Sequence, residues 1–266
     1  MGFFTRLPVP HVEFSNEAYR RGVKLLPLVG LIIGAILVLA QLLTMMVNMS
    51  SLISGAIILG LYIFLTGGLH FDGMADTCDG VFSGRTREKA LEIMRDSRLG
   101  VFGALGVFLT GLFYFVLFSE VPLAGLLIFP LVGRACCLIS ASIAPYAREE
   151  GMGKAVGLEG GAVSVTAAAI SLALVSFLTV PLLLLLFRLG SAFPRLAGMC
   201  IGSGFFDLVM YSLIAAGAAV FATVCVTAGF KKRLGGVTGD TFGAVIEGSS
   251  IVYLLVLTVL FKAVPL

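Results

Sequence analysis

Long apolar stretches alternate with short polar intervals along the whole chain. A helix needs about 20 apolar residues to cross the hydrocarbon core of a bilayer. Six of the stretches have about this length, whereas residues 51–66 are short. The pattern predicts an all-α, polytopic membrane helix bundle of about seven transmembrane helices, forming one domain over residues 1–266. The same pattern is compatible with an alternative of six spans and one re-entrant segment. The predicted spans are residues 25–47, 51–66, 100–118, 121–144, 161–187, 205–229 and 244–264.

The composition supports a membrane protein. Hydrophobic residues make up 59% of the chain and charged residues 12%, whereas soluble domains carry about 25% charged residues. The 18 Lys and Arg against 15 Asp and Glu give a net charge of +3, which indicates no nucleic-acid partner. The predicted partner is the lipid bilayer. Glycines at small-xxx-small spacing, such as Gly30 and Gly34, suit close helix packing.

Basic residues are concentrated on one side of the predicted spans. Fourteen of the 18 lie in residues 1–24, 67–99, 145–160 and 230–242, three lie on the other side, and Arg134 lies within a span. Cytoplasmic loops of membrane proteins carry an excess of Lys and Arg. The N-terminus and the four basic segments are therefore predicted to be cytoplasmic.

Three acids, Asp72, Asp76 and Asp79, lie within eight residues of the first long polar interval. Steps of four and three residues place them on one face of a helix, where like charges repel. A divalent cation would remove this repulsion, and oxygen ligands favour a hard ion such as Mg²⁺ or Mn²⁺. The triplet therefore predicts a metal site, with a solvated acidic turn as the alternative.

Basic residues follow the triplet and indicate phosphate binding, because one guanidinium group can donate hydrogen bonds to two phosphate oxygens at once. Arg95, Asp96 and Arg98 lie directly before a predicted span, where charge is costly. We interpret Asp96 as a fourth metal carboxylate or general base, and Arg98 as a phosphate ligand. Arg134 is a further candidate because it lies within a span, with an ion pair to another span as the alternative. Glu247 is left unassigned.

A glycine-rich loop over residues 233–243 leads into the last predicted span. The backbone N–H groups of such a loop and the dipole of the following helix can bind an anion. Gly235, Gly236 and Thr238 are candidates for this contact, and Asp240 can reach a metal or a substrate hydroxyl. A flexible turn is the alternative, since the loop lacks the Gly-Lys-Ser/Thr of a P-loop.

Four motifs together resemble one known family. Residues 4–10 read Phe-Thr-Arg-Leu-Pro-Val-Pro, and residues 66–80 read Thr-Gly-Gly-Leu-His-Phe-Asp-Gly-Met-Ala-Asp-Thr-Cys-Asp-Gly. Residues 92–100 read Glu-Ile-Met-Arg-Asp-Ser-Arg-Leu-Gly, and residues 235–243 read Gly-Gly-Val-Thr-Gly-Asp-Thr-Phe-Gly. In this order, over nearly the whole chain, they are similar to the adenosylcobinamide-GDP ribazoletransferase (cobalamin synthase) family.

The resemblance implies a Mg²⁺-dependent transferase in the inner membrane of a prokaryote, acting in the last steps of vitamin B12 synthesis. Such enzymes transfer the adenosylcobinamide-phosphate moiety of adenosylcobinamide-GDP to α-ribazole, or to its 5′-phosphate, and release GMP. It implies metal binding by Asp72, Asp76, Asp79 and Asp96, and proton transfer by Asp96, Asp79 or His70. A homo-oligomer is compatible with it. The residues expected to bind the substrate and its phosphates are Arg6, Arg95, Arg98, Arg134, Gly235, Gly236, Thr238 and Asp240.

Two other classes are alternatives. A CDP-alcohol phosphotransferase also places clustered aspartates on membrane helices, but its motif requires Arg where Asp76 follows Ala75 here. The second half of that motif is missing as well. A transporter would need charges spread across the membrane depth, whereas the polar residues here gather on one predicted face.

Overall fold

The computed structural model describes residues 5–8, 22–149, 151 and 205–263. Within these ranges the chain forms helices and turns and no β-strand, which confirms the predicted all-α fold. The predicted span over residues 161–187 lies outside the described residues. The described helices are α1 (Leu26–Met46), α2 (Ser51–Thr66), α3 (Leu69–Phe82), α4 (Arg87–Ile93), α5 (Val101–Glu120), α6 (Leu123–Ile143), α7 (Phe205–Leu234) and α8 (Gly239–Ala263).

Five described helices, α1 and α5 to α8, are long and apolar enough to cross a membrane. Helices α2 and α3 pass the same test only as a pair, and they are bent by 88° at the break between them. The described part therefore has five candidate spans, or six if the pair is one broken span. The short second predicted span is α2, one arm of this pair, which is either a broken span or a re-entrant segment. The total of seven stays a prediction.

Two consecutive glycines form the break between α2 and α3. Gly67 and Gly68 have φ angles of 63° and 71°, in the left-handed region that glycine adopts without the penalty of a Cβ. After the break, α3 does not continue the direction of α2, and it packs against α5 and α8.

Helix α6 is the most buried of the candidate spans and packs against α1, α7 and α8. Gly30 and Gly34 of α1 face it. A Cβ on Gly30 would collide with the Pro130 carbonyl, and one on Gly34 with the Leu127 carbonyl. This contact confirms the prediction that these glycines allow close helix packing.

The predicted polar loop over residues 230–242 is mostly helical, which corrects the sequence interpretation. Helix α7 continues to Leu234 because the basic residues of its last turn suit the negative end of the helix dipole. Helix α8 already begins at Gly239, before the predicted start of the last span. The Thr238 and Thr241 side chains accept hydrogen bonds from each other's backbone N–H and cap α8.

Candidate active site

Helices α3 and α8 cross at two glycines. A Cβ on Gly73 would lie 2.7 Å from the Asp240 carbonyl oxygen, and one on Gly243 would lie 3.0 Å from the His70 carbonyl oxygen. Backbones this close leave no room for a larger residue at either position. The crossing places the first turn of α8, which carries Asp240, beside the acid-bearing face of α3.

The acids of α3 meet the acid of α8 at this crossing. Asp72 is exposed and Asp76 is half-buried. Asp76 experiences the negative charges of Asp240, Asp72 and Asp79, in decreasing order, and the positive charge of Arg148. The predicted acidic cluster is therefore assembled around Asp76, and Asp240 is part of it.

Asp79, the third acid of the triplet, is bonded to the backbone of another helix. Its Oδ2 accepts a hydrogen bond from Gly100 N and its Oδ1 accepts one from Gly103 N, both at 2.8 Å. Gly100 is the N-cap residue of α5 and has no side chain to satisfy the first amides of that helix. Asp79 supplies the missing cap, and its charge lies at the positive end of the α5 dipole. Its predicted catalytic and metal roles stay predictions.

Asp96 forms an ion pair within its own turn. It is in the turn after α4, where both of its carboxylate oxygens accept hydrogen bonds from Arg98, at 2.6–3.1 Å. These hydrogen bonds lower the pKa of Asp96 to about 2. The positive charges of Arg98 and Lys89 act on Asp96. Asp96 is thus paired within its own turn, and its predicted metal-binding and catalytic roles stay predictions.

Arg148 is the positive charge of the cluster. Its Nη2 lies 2.8 Å from Asp240 Oδ2, and both side chains are mostly buried. The Nε of Arg148 is buried without a hydrogen-bond partner among the described residues. An arginine with a spare donor beside three carboxylates can hold a phosphate oxygen.

Tyr146 lies two residues before Arg148, and the charges of Arg148 and Asp240 both act on its phenol. The chain here pairs with the glycine-rich loop: Ala147 N donates to Val237 O and Val237 N donates to the Pro145 carbonyl, both at 2.8 Å. Burial raises the pKa of Tyr146 above its usual value, and the charge of Arg148 opposes this shift. The phenol therefore stays protonated at neutral pH and can donate a hydrogen bond.

The glycine-rich loop is held by internal bonds. The N–H groups of Val237, Thr238 and Thr241 donate to partners within the loop or in the Tyr146 segment. Gly235 has φ of +79°, and the Arg87 guanidinium packs directly on it. Phosphate binding by Gly235, Gly236 and Thr238 stays a prediction, and these bonds leave fewer amides for it than the sequence interpretation assumed.

Three of the predicted phosphate-binding arginines are placed differently from one another. The charge of Arg95 acts on Tyr146, so Arg95 lies near the cluster. Arg6 is exposed and its side chain packs on Gly67 at the α2–α3 break. Arg98 is exposed and paired with Asp96.

A buried polar cluster lies around Glu247, about two helical turns after Asp240 on α8. Glu247 accepts hydrogen bonds from the hydroxyls of Tyr62, at 3.0 Å, and Tyr114. Its Oε1 lies 3.4 Å from His70 Nδ1. Arg134 is fully buried, and its charge acts on Tyr62 and His70. Arg134 and His70, both predicted as site residues, therefore belong to this interior cluster.

Magnesium suits the chemistry of the carboxylate cluster. No three His, Cys, Asp or Glu side chains within the described ranges are arranged to hold a metal ion by themselves. Mg²⁺, however, is usually bound by one or two carboxylates together with waters and substrate phosphates. Asp72, Asp76 and Asp240 offer such oxygens, and a cation would relieve the repulsion on Asp76. The donor set therefore fits this ion.

Sequence reasoning gave no role to Arg148, Tyr146, Tyr62 or Tyr114. Arg148 and Tyr146 lie in a segment predicted to be cytoplasmic, on the same side of the membrane as the acidic triplet. This shared side was the available signal for them. For the two tyrosines, the signal was the unassigned Glu247, since an acid inside a span requires hydrogen-bond donors from its neighbours.

Comparisons with known proteins agree with the resemblance. The family model for cobalamin-5-phosphate synthase matches residues 1–258. An adenosylcobinamide-GDP ribazoletransferase of Acetivibrio thermocellus is 38% identical over 269 residues, covering 98% of this chain and 96% of the relative. Proteins of the same name from Fusobacterium nucleatum and Shigella boydii are 32% and 35% identical, covering 100% and 97% of this chain and 96% of each relative. No solved structure is significantly similar. With a match over nearly its whole length, the chain belongs to the cobalamin-5-phosphate synthase family.

Proposed function

We propose that this protein is an adenosylcobinamide-GDP ribazoletransferase, acting in the last steps of vitamin B12 synthesis. It transfers the adenosylcobinamide-phosphate moiety to α-ribazole, or to α-ribazole 5′-phosphate, and releases GMP. Family membership and the names of its relatives support this reaction. The observation that carries the site is the meeting of Asp72, Asp76, Asp240 and Arg148 where α3 crosses α8.

The proposed chemistry is a displacement at phosphorus. The 3′ hydroxyl of α-ribazole forms a bond to the cobinamide-linked phosphorus and releases its proton to water, while the bond from that phosphorus to the bridging oxygen breaks and GMP leaves with this oxygen. Negative charge develops on the departing GMP, so the reaction needs positive charge near the pyrophosphate. Mg²⁺ supplies such charge when it is bound, and we assign its ligands to Asp72, Asp76 and Asp240.

Arg148 is the proposed phosphate ligand of the protein itself. Asp240 pairs with one side of its guanidinium, and its Nε, which has no hydrogen-bond partner within the described part of the chain, can bind a phosphate oxygen. Arg95 adds a second positive charge next to Tyr146. Contacts of Arg6, Arg98 and the glycine-rich loop with substrate stay predictions.

None of the three predicted proton acceptors is favoured by its surroundings. A carboxylate with a pKa of about 2, as in Asp96, is a weak base at neutral pH. Both oxygens of Asp79 accept backbone hydrogen bonds, and His70 is buried. Phosphoryl transfer depends mainly on positioning and charge neutralisation, and these are what the cluster offers.

The proposed location is the inner membrane of a prokaryote, with a cytoplasmic N-terminus and the site on the cytoplasmic face. The basic residues Lys231, Lys232 and Arg233 end α7 shortly before Asp240, so the site lies at a strongly basic end of the bundle. Such ends face the cytoplasm in most membrane proteins. A homo-oligomer stays a prediction.

Purified protein in detergent, incubated with Mg²⁺, adenosylcobinamide-GDP and α-ribazole, should release GMP and form adenosylcobalamin in equal amounts. Asp72→Asn and Asp76→Asn should abolish this release while the protein still inserts and folds. Asp207→Asn, which removes an exposed acid in the first turn of α7, is the matched control. Release of CMP from a CDP-lipid in place of GMP would favour the alternative enzyme, and full activity of the Asp72/Asp76 double variant would refute the metal site.

A further inference from the structure

Glu247 is a fully buried acid that the proposed reaction does not use. A carboxylate inside a membrane bundle is costly unless other groups bond to it. Here the Tyr62 hydroxyl lies 3.0 Å from Oε1, the Tyr114 hydroxyl bonds to Oε2, and His70 Nδ1 lies 3.4 Å from Oε1. These partners come from α2, α5 and α3. One carboxylate of α8 therefore joins four helices at a single point.

Two of these partners flank the 88° bend between α2 and α3. Tyr62 lies in the last turns of α2, and His70 is the second residue of α3. Between them, Gly67 and Gly68 allow the bend, but glycine permits many other backbone conformations equally well. The angle must therefore be set by contacts on the two arms, and Glu247 contacts both.

Helix α8 connects this contact to the candidate active site. Asp240 is in its first turn, Gly243 packs on the backbone of α3, and Glu247 follows one turn later. Asp240 and Glu247 are seven residues apart on one helix, a fixed separation of about 10 Å along the axis. Holding the start of α3 at Glu247 thus fixes where Asp72 and Asp76 lie relative to Asp240.

We propose that Glu247 is a positioning residue: its carboxylate fixes the angle between α2 and α3 and so holds the acids of α3 in register with Asp240. This role rests on the proposed transferase function, because the acids it positions are those assigned to the reaction. Stability alone is a poor explanation for such a cluster, since well-packed apolar residues often replace buried ionic groups without loss of stability.

The test uses variants that remove one group at a time. Tyr62→Phe and Tyr114→Phe each delete a single hydroxyl bonded to Glu247, and Glu247→Gln keeps the side-chain shape. Tyr253→Phe is the matched control, because Tyr253 is also fully buried on α8 but its hydroxyl makes no hydrogen bond to any described residue. If Glu247→Gln fails to fold, the two hydroxyl deletions still test the role.

Cys78 reports on the position of α3 independently of activity. It is half-buried on α3, and a Cβ on Gly106 of α5 would lie 2.6 Å from its Sγ. We measure its alkylation by a maleimide in the full-length protein, with peptide mass spectrometry. Loss of a hydrogen bond to Glu247 should make Cys78 react about 5–30-fold faster, the change in population that one or two kcal/mol produces. Tyr253→Phe should react at the wild-type rate.

GMP release adds a second readout. The Glu247 and Tyr62 variants should lose kcat with nearly unchanged KM, because substrate binding by Arg148 remains. A wild-type Cys78 rate in Glu247→Gln and Tyr62→Phe would overturn the positioning role, and so would an equal acceleration in Tyr253→Phe. If the wild-type protein released no GMP, the transferase function would fail, whereas the Cys78 rates would still decide whether Glu247 holds α3.

Discussion

Replacing Asp79 with asparagine tests whether this acid of the triplet stabilises the fold or takes part in the reaction. Asp79 accepts backbone hydrogen bonds from Gly100 and Gly103 at the start of α5, whereas Asp72 is exposed at the α3–α8 crossing. We therefore predict that Asp79→Asn lowers the stability of the fold. Asp72→Asn should leave stability unchanged and remove activity.

The expected loss follows from the two hydrogen bonds. Asparagine keeps one acceptor oxygen, so one buried N–H of α5 loses its partner, at a cost of about 1–3 kcal/mol. Removing the negative charge from the helix N-terminus costs about 0.3–2 kcal/mol more. A total of about 1–5 kcal/mol corresponds to a fall in Tm of roughly 3–20 °C for a chain of this size.

The assay heats purified wild-type, Asp79→Asn and Asp72→Asn protein in detergent and measures the folded fraction by size-exclusion chromatography. GMP release is measured separately and expressed per folded molecule before heating. Asp79→Asn should show the lower Tm and retain more activity per folded molecule than Asp72→Asn. An Asp79→Asn protein with wild-type Tm and no GMP release would refute the capping role and place Asp79 in the chemistry.

Three further predictions test binding, packing and the metal. Arg148→Ala should raise KM for adenosylcobinamide-GDP about tenfold or more, because a hydrogen bond to a charged group is worth about 1.5–3 kcal/mol. Arg85→Ala, which removes an exposed arginine, is the control. An unchanged KM for Arg148→Ala would contradict the assignment. Gly34→Leu should destabilise the fold by about 1–3 kcal/mol, measured as a lower Tm, because it collides with the Leu127 carbonyl. Gly60→Leu enters open space and should match the wild type; equal Tm values for both would argue against the α1–α6 packing. Chelation with EDTA should stop GMP release and added Mg²⁺ should restore it, whereas activity that survives EDTA would exclude the proposed metal role.

The helices were predictable because the thickness of the bilayer dictates the length of an apolar stretch. Helices α1, α5 and α6 begin and end within a few residues of the predicted spans. The C-terminal end of α7 and the N-terminal end of α8 were missed. The basic last turn of α7 extends this helix into the polar segment, and capping by Thr238 starts α8 within the same segment. The bend at Gly67 and Gly68 has a local signal, but its angle depends on contacts with α8, which are distant in sequence.

The candidate site was predictable to the extent that helix periodicity controls it. Spacing alone placed Asp72 and Asp76 on one face of α3, and the glycine-rich loop pointed to Asp240. That Asp240 joins the acids of α3 follows from the close approach of Gly73 to α8. This tertiary contact leaves no periodic pattern in the sequence. The same contact makes Arg148 a neighbour of the cluster.

The bend between α2 and α3 serves both the fold and the site. A straight continuation of α2 would carry Asp76 about 15 Å beyond Thr66, away from α8, and its charge would be screened by water and salt. The observed bend lays α3 against α5 and α8. Asp79 can then cap α5, and Asp76 can meet Asp240 and Arg148. Because one bend sets both arrangements, a change that alters its angle should weaken the cap of α5 and disperse the carboxylates together.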